Sequence, residues 1–336
     1  MVSVAVYDSK PYDVEFLQNA PGAEGVTWHF YDFRLNKETA RMAFGADVVC
    51  AFVNDNLDRA CLEVLAKVGI KHIALRCAGF NNIDLEAAEE LELPVTRVPA
   101  YSPHAIAEHT LGLLLALTRK IHRAYNRVRD FNFSLNGLVG YDIYGKKVGV
   151  VGTGKIGKLV AELFIGMGAK VFVFDKFTDD AWAKEQGVEY IPFEKMLESC
   201  QILSFHVPLL PDTHHMLNSD AVSKMLPGTI VVNTSRGGVF DTKALIEGLR
   251  NGQIGGVAMD VYEEEEGVFF EDLSEQIILD EELARLMTFP NVLITAHQAF
   301  LSRDALSEIA NITVKNILQG AGAKPFIEGT QVKNKS

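Results

Sequence analysis

The sequence predicts an α/β protein made of doubly wound parallel sheets. Three observations carry this reading. Apolar runs and helical patterns alternate along all 336 residues, which is the signature of a parallel sheet covered on both faces. The apolar run Val148 to Val151 is short and continuous, as a strand buried on both sides requires, while Val2 to Tyr7 reads as alternating or buried. The stretch from Lys147 to Asp175 then sets a strand, a glycine turn, a helix, a second strand and an acidic residue in one register.

In that stretch Val148 to Val151 reads as a strand. Gly152, Gly154 and Gly157 follow at G-x-G-x-x-G spacing, as Gly152-Thr153-Gly154-Lys155-Ile156-Gly157. The first glycine suits a tight turn, the second lets backbone approach a pyrophosphate, and the third lets helix and strand pack closely. Ile156, Val160, Phe164 and Met167 recur at helical spacing, so the N-terminus of an amphipathic helix faces the phosphates. Val171 to Phe174 is the next strand and ends in Asp175, where a carboxylate can accept both hydroxyls of an adenosine ribose. A dinucleotide site is the expectation. Asp175 favours NAD because it would repel the 2′-phosphate of NADP, while Lys176 beside it would soften that preference.

Before this stretch the elements run in order. Val2 to Tyr7, Val26 to Tyr31, Ala46 to Phe52 and Ile70 to Leu75 are strands; Pro11 to Leu17 and Asp58 to Lys67 are helical. The first hundred residues thus form an α/β unit without a phosphate fingerprint, whose strand ends near Phe52–Asn54 and Cys77–Phe80 share an edge. Val95 to Val98 is a further strand. Ser102 is a natural N-cap and Pro103 suits the first helical position. The helix that follows carries Leu111 to Leu117, apolar on every side, as in a helix buried all round. Seven apolar residues flanked by Glu108, His109, Arg119 and Lys120 are too few to span a membrane, so either an interdomain or a subunit interface is expected there, the subunit interface being favoured.

After Asp175, strands end at His206-Val207-Pro208, at Thr234-Ser235-Arg236-Gly237-Gly238, at Asp260 and at His297. Parallel strands of one sheet present their C-terminal ends on one side, so Arg236, Asp260 and His297 should share the edge that carries the glycine turn. A last helix runs from Leu301 to about Gln319, and the tail after Gly320 reads as a poorly anchored terminus.

Composition narrows the function. A net charge of −12 argues against nucleic acid or an anionic membrane as partner. The four cysteines are scattered, without C-x-x-C or ligand spacing, so neither disulfides nor a metal centre is expected and a reducing cytoplasm is the simplest setting. The opening MVSVAVYDSK lacks the basic and apolar regions of a signal peptide.

A nicotinamide cofactor moves hydride and leaves proton transfer and substrate orientation to the protein. Histidine is the usual proton donor near neutral pH, and arginine the usual fork for a carboxylate. Of nine histidines, His297 stands out at a strand end before Gln298-Ala299-Phe300. Arg236 stands out among the arginines, between Ser235 and two glycines. The run Glu263 to Glu266 reads as a solvated acidic loop, placed so that one member could turn inward and orient His297.

Taken together, Arg76-Cys77-Ala78-Gly79-Phe80-Asn81-Asn82, Val98-Pro99-Ala100-Tyr101, the glycine turn, Val232-Asn233-Thr234-Ser235-Arg236-Gly237, Met259-Asp260-Val261-Tyr262-Glu263 and His297-Gln298-Ala299-Phe300 resemble the NAD-dependent D-2-hydroxyacid dehydrogenases, in the family's order and over nearly the whole chain. The resemblance is closest to the members that form D-lactate. It implies two Rossmann-like domains: a cofactor domain over 101–298, inserted into a substrate domain split into 1–100 and 299–336. It also implies that Arg236 binds the substrate carboxylate, that His297 is the acid/base and that Glu265 is its carboxylate partner. Ala78, Gly79, Tyr101 and Phe300 would contact substrate. Val207, Pro208, Thr234 and Ser235 would line the cofactor with Lys155 and Ile156, and Asp260 would act behind the site or beside the cofactor. Asp212 stands where relatives often carry an amide or other polar group near the cofactor. The implied activity is NADH-dependent reduction of pyruvate to D-lactate in a cytoplasmic homo-oligomer with a dimeric core, a tetramer being compatible. The alternatives are a dehydrogenase for larger D-2-hydroxy acids and a non-catalytic NAD-sensing protein.

Overall fold

The computed structural model describes residues 1–322 and 324–333. The chain divides into two compact units, Met1–Ser102 with Leu301–Ser336, and Pro103–Phe300. Each junction lies two residues beyond the boundary expected from sequence, because the second unit takes in its first helix from Pro103 and the segment after its last strand through Phe300.

The first unit begins with β1 (Val2–Val6), α1 (Pro11–Asn19), β2 (Val26–Phe30), β3 (Val48–Ala51), α2 (Arg59–Lys67), β4 (His72–Leu75), α3 (Leu85–Glu90) and β5 (Val95–Thr96). Helix starts are set locally. Asp58 and Asp84 cap α2 and α3 by accepting from the N–H groups of Cys61 and Ala87, which satisfies donors the helix itself cannot pair.

The second unit holds α4 (Pro103–Thr118), α5 (Ile121–Arg129), β6 (Lys147–Val151), α6 (Lys155–Gly166), β7 (Lys170–Phe174), α7 (Asp180–Gln186), β8 (Glu189–Tyr190), α8 (Phe193–Ser199), β9 (Ile202–Phe205), α9 (Ser219–Lys224), β10 (Thr229–Asn233), α10 (Thr242–Asn251), β11 (Ile254–Met259), α11 (Glu281–Thr288) and β12 (Val292–Ile294). The chain returns to the first unit through α12 (Arg303–Ala321) and β13 (Gln331–Val332).

The first sheet runs β13-β5-β4-β3-β1-β2, parallel except for the β13–β5 pair. The second runs β12-β11-β10-β9-β6-β7-β8 and is parallel throughout. Its strand order reverses between β6 and β9, and open α/β sheets bind ligands at such a switch point, outside the carboxyl ends of the strands. Val148, Val150, Val151, Leu203, Phe205, Val231 and Val257 are essentially without exposed surface, as continuous apolar runs in a doubly covered sheet should be.

Within this chain α4 buries Ala107, Leu113, Leu114 and Leu117, while Leu111 and Leu115 are half-buried and Gly112 is exposed. One expectation changes: the tail is anchored over its described part, residues 323 and 334–336 lying outside the described residues. Gln331 and Val332 pair with Thr96 and Val95, and Arg97 N–H donates to Thr330 O at 2.9 Å. Thr330 Oγ1 donates to the buried Asn316 Oδ1 at 3.0 Å. A two-residue edge strand has no periodicity to read, so the polar composition of the tail concealed this contact.

No helix among the described residues is long and apolar enough to cross a membrane. All four cysteines are free and buried. Burial pushes the thiols of Cys50 and Cys61 up to about 12 and that of Cys200 to about 11, which leaves them protonated and unreactive near neutrality.

His72 ties the tail to the first sheet. Its Nε2 lies 2.9 Å from Thr96 Oγ1, its Nδ1 is buried without a partner, and its ring sits 4.9 Å from that of Phe326. Burial lowers its pKa from 6.5 to about 4. The unfolded chain therefore binds this proton first, so stability held above pH 6.5 is lost as pH falls toward 4. Urea unfolding at pH 7 and pH 5 checks this: His72→Gln should reduce the acid-induced loss by about 2 kcal/mol relative to the parent. An equal loss in both proteins would contradict the assignment.

Candidate active site

The glycine turn follows β6 at the switch point. Gly152 has φ +94°, and a Cβ there would lie 2.6 Å from His206 O. A Cβ on Gly157 would lie 1.8 Å from Gly152 O, so helix α6 reaches the turn only because that atom is missing. Gly154 is different: nothing lies within 4 Å of a Cβ placed there, and it forms the N-cap of α6 with no side-chain cap. An exposed backbone at a helix N-terminus with uncapped N–H groups fits a pyrophosphate. Lys155 is exposed and Ile156 half-buried beside it.

Asp175 ends β7. Its Oδ2 accepts from Thr153 N–H at 2.6 Å and Oδ1 from Phe177 N–H at 3.0 Å, so the carboxylate is fixed against the glycine turn. Asp212, expected near the cofactor, is ion-paired with Lys176, both side chains being more than half exposed. That pair adds little to stability in water. It does give the Lys176 charge a partner, which leaves the charge of Asp175 less opposed. Val207 is half-buried and Pro208 exposed after β9, while Thr234 is buried and donor or acceptor to Thr110 Oγ1 at 2.7 Å, with Ser235 half-buried beyond it.

The ends of β10, β11 and β12 bring the remaining groups to the same edge of this sheet. Arg236 follows β10 and is exposed. Its Nη1 donates to Ser235 O, and no carboxylate among the described residues pairs with it. His297 Nδ1 lies 2.8 Å from Glu265 Oε1, while Glu265 Oε2 accepts from Tyr262 N–H at 3.1 Å. Nε2 of His297 has no partner among the described residues and remains available.

Of the two places expected for Asp260, its burial fits the one behind the site and not the one beside the cofactor. It is 0% exposed, so it offers no surface to a cofactor. Its Oδ1 accepts from Thr295 Oγ1 at 2.5 Å and Gln298 N–H at 2.8 Å, and its Oδ2 from Ala299 N–H at 2.8 Å. Its backbone O accepts from His297 N–H at 2.7 Å. His297 is held at φ +51°, a left-handed conformation uncommon outside glycine. His109 on α4 completes the network, with Nε2 3.1 Å from Thr295 Oγ1 and 3.4 Å from Asp260 Oδ1. His109 and Thr295 were not singled out from sequence; the contact spans 186 positions and leaves no local signal.

On the first unit, Ala78 and Gly79 follow β4. Arg97 Nη1 donates to Ala78 O at 2.7 Å and Cys77 Sγ to Gly79 O at 3.2 Å, whereas the N–H groups of Ala78 and Gly79 have no acceptor among the described residues. Behind this loop the fully buried Arg76 is held by Asp13 at 3.0 Å and by Asp8 O at 2.7 Å. Tyr101 is half-buried. Phe300, at the end of the second unit, is 8% exposed.

A glycine turn at the switch point and a histidine–carboxylate pair on the same sheet edge define a dinucleotide-dependent oxidoreductase. Residues 111–299 match the family model of the D-isomer specific 2-hydroxyacid dehydrogenase NAD binding domain. The chain is 48% identical over 316 residues to the D-lactate dehydrogenase of Escherichia coli, covering 94% of this chain and 96% of that one. The apo-structure of the Escherichia coli enzyme superposes with a TM-score of 0.91 at 44% identity, over 98% of this chain and 100% of that one. A structure from work identifying the pyruvate reductase of Chlamydomonas reinhardtii gives 0.92 at 40%, over 97% and 98%. The chain belongs to the D-isomer specific 2-hydroxyacid dehydrogenase family, and its second unit carries that family's NAD binding domain.

The 1.8 Å approach at Gly157 yields a direct expectation. Gly157→Ala should weaken NADH binding, followed by nicotinamide fluorescence, by at least about tenfold, while far-ultraviolet circular dichroism stays unchanged. Unaltered affinity would separate the turn from cofactor binding.

Proposed function

We propose that this chain reduces pyruvate to D-lactate with NADH, reversibly, with Arg236, Glu265 and His297 as its working residues. The observation that carries the reading is the 2.8 Å Glu265–His297 pair on the edge that bears the glycine turn, an edge that also carries Arg236, which has no carboxylate partner among the described residues. The bound nicotinamide supplies the hydride. Arg236 offers a planar fork of donors to the substrate carboxylate and so fixes which face of the keto carbon is presented. The amides of Ala78 and Gly79 are suited to a carboxylate oxygen, and the unit that carries them is assigned as the substrate domain. Glu265 holds Nδ1 of His297, which leaves Nε2 to give a proton to the carbonyl oxygen on reduction and to take it back on oxidation. Asp260 and His109 act through the backbone of 295–299 and are positioning residues.

NAD is preferred over NADP in this reading, since Asp175 sits at the ribose-recognising position and Lys176 is engaged by Asp212. A cytoplasmic setting fits the free, buried cysteines. A homo-oligomer with a dimeric core fits the exposed apolar side chains on and after α5, among them Tyr125, Val128, Phe131, Phe133 and Leu135, since exposed apolar surface marks interaction sites when it is contiguous.

Steady-state kinetics of two variants test the residue roles. His297→Gln should lower kcat by about 10²- to 10⁴-fold with NADH affinity kept. Arg236→Gln should chiefly raise the KM for the keto acid, by about 10- to 100-fold. Full turnover by His297→Gln, or an unchanged KM in Arg236→Gln, would remove that residue from the mechanism.

A further inference from the structure

Outside the groups used above, one constellation has the chemistry of a metal site. His214, His215 and Glu263 each present a ligand atom, and these atoms lie within 4.8 Å of one another. It is the only such group of three among the described residues. The cysteine pattern gave no hint of it, because its ligands are imidazole and carboxylate and they come from two separate loops.

The site is built from the backbone up. The loop after β9 closes on itself and on the turn that follows β10. His214 N–H donates to Leu210 O at 2.8 Å, His215 N–H to Gly238 O at 2.8 Å, and Leu217 N–H to Val239 O at 3.1 Å. His215 is held at φ +49°, a conformation uncommon outside glycine. The two imidazoles lie 3.9 Å apart with 25° between their planes. Glu263 comes from the loop after β11. Its Oε1 pairs with His215 Nε2, and its Oε2 accepts from Thr242 Oγ1 at 3.1 Å, at the start of α10. The side chains of His215 and Glu263 are therefore set before any ion arrives, while that of His214 is exposed and leaves an entry path.

We infer that His214, His215 and Glu263 form a binding site for a divalent transition ion of the zinc class. Two neutral imidazoles and one carboxylate are a borderline-soft donor set, suited to Zn²⁺ and poorly suited to Mg²⁺ or Ca²⁺. Zinc takes nitrogen and oxygen ligands at roughly 2.0–2.2 Å. The ligand atoms already lie within 4.8 Å of one another, and the exposed His214 ring must turn out of its stack on His215 for both in-plane lone pairs to meet on the ion. Three protein ligands would leave a fourth position to water. The ion would cross-link the loop that carries Val207, Pro208 and Asp212 to the one that carries Glu265, so its binding should resist thermal unfolding.

The competing explanation is a plain His215–Glu263 hydrogen bond joining two loops. That bond has no use for His214, and this separates the two. ZnCl₂ is titrated into the purified full-length chain by calorimetry at pH 7.5, in a buffer that does not chelate metals, with a thermal-shift assay in parallel. The parent protein should bind a single Zn²⁺ per chain at these residues and melt higher with zinc than without. The exposed His214→Ala should keep the zinc-free melting temperature and lose at least about tenfold in zinc affinity, together with the zinc-dependent shift. Glu263→Gln should lose affinity similarly. If His214→Ala binds zinc as tightly as the parent, or the parent shows no saturable binding, the site is refuted and the loop contact is structural only.

Discussion

The buried carboxylate of Asp260 is the interaction on which the catalytic edge depends. Burying an ionisable group is costly unless its oxygens are hydrogen-bonded, and here every donor comes from the segment that must be placed. Thr295, Gln298 and Ala299 donate to its side chain, and His297 donates to its backbone. The chain after β12 thus has one low-energy course, and His297 is forced into a left-handed conformation along it. Glu265, five residues beyond Asp260, meets the imidazole because both segments are fixed to the same strand end. Parallel topology supplies the rest, bringing the ends of β6, β9, β10, β11 and β12 to one edge.

The first unit shows the same logic with opposite charge. Arg76 is wholly buried behind the Ala78–Gly79 loop, and burial alone would lower its pKa; the neighbouring Asp13 reverses that and holds the guanidinium charged. Breaking such a pair strands a buried charge, which costs far more than an exposed pair contributes. The exposed Lys176–Asp212 pair lies at the other extreme. It contributes through what Lys176 is kept from doing beside Asp175, and scarcely through stability.

Much of this was legible in the sequence, for identifiable reasons. The glycine turn could be read because each glycine answers a local steric demand, and the 2.6 and 1.8 Å approaches at Gly152 and Gly157 are those demands in atomic form. Strand ends at Arg236, Asp260 and His297 could be read because apolar runs stop abruptly there. What escaped was long-range and polar. The His109–Thr295–Asp260 network links α4 to β12, the Asn316–Thr330 bond anchors a tail without periodicity, and His214, His215 and Glu263 meet across two loops. For Asp260 the sequence left open a place behind the site or beside the cofactor, because position at a strand end does not reveal which way a side chain turns; its burial favours the first.

The central claim is that this edge performs stereospecific reduction of a small 2-keto acid. The most direct measurement is NADH oxidation by the purified protein with pyruvate and with bulkier 2-keto acids, with the handedness of the product determined by chiral chromatography. Turnover should be fastest with pyruvate, with D-lactate as the sole product. L-lactate, or NADH binding without turnover of any 2-keto acid, would contradict it.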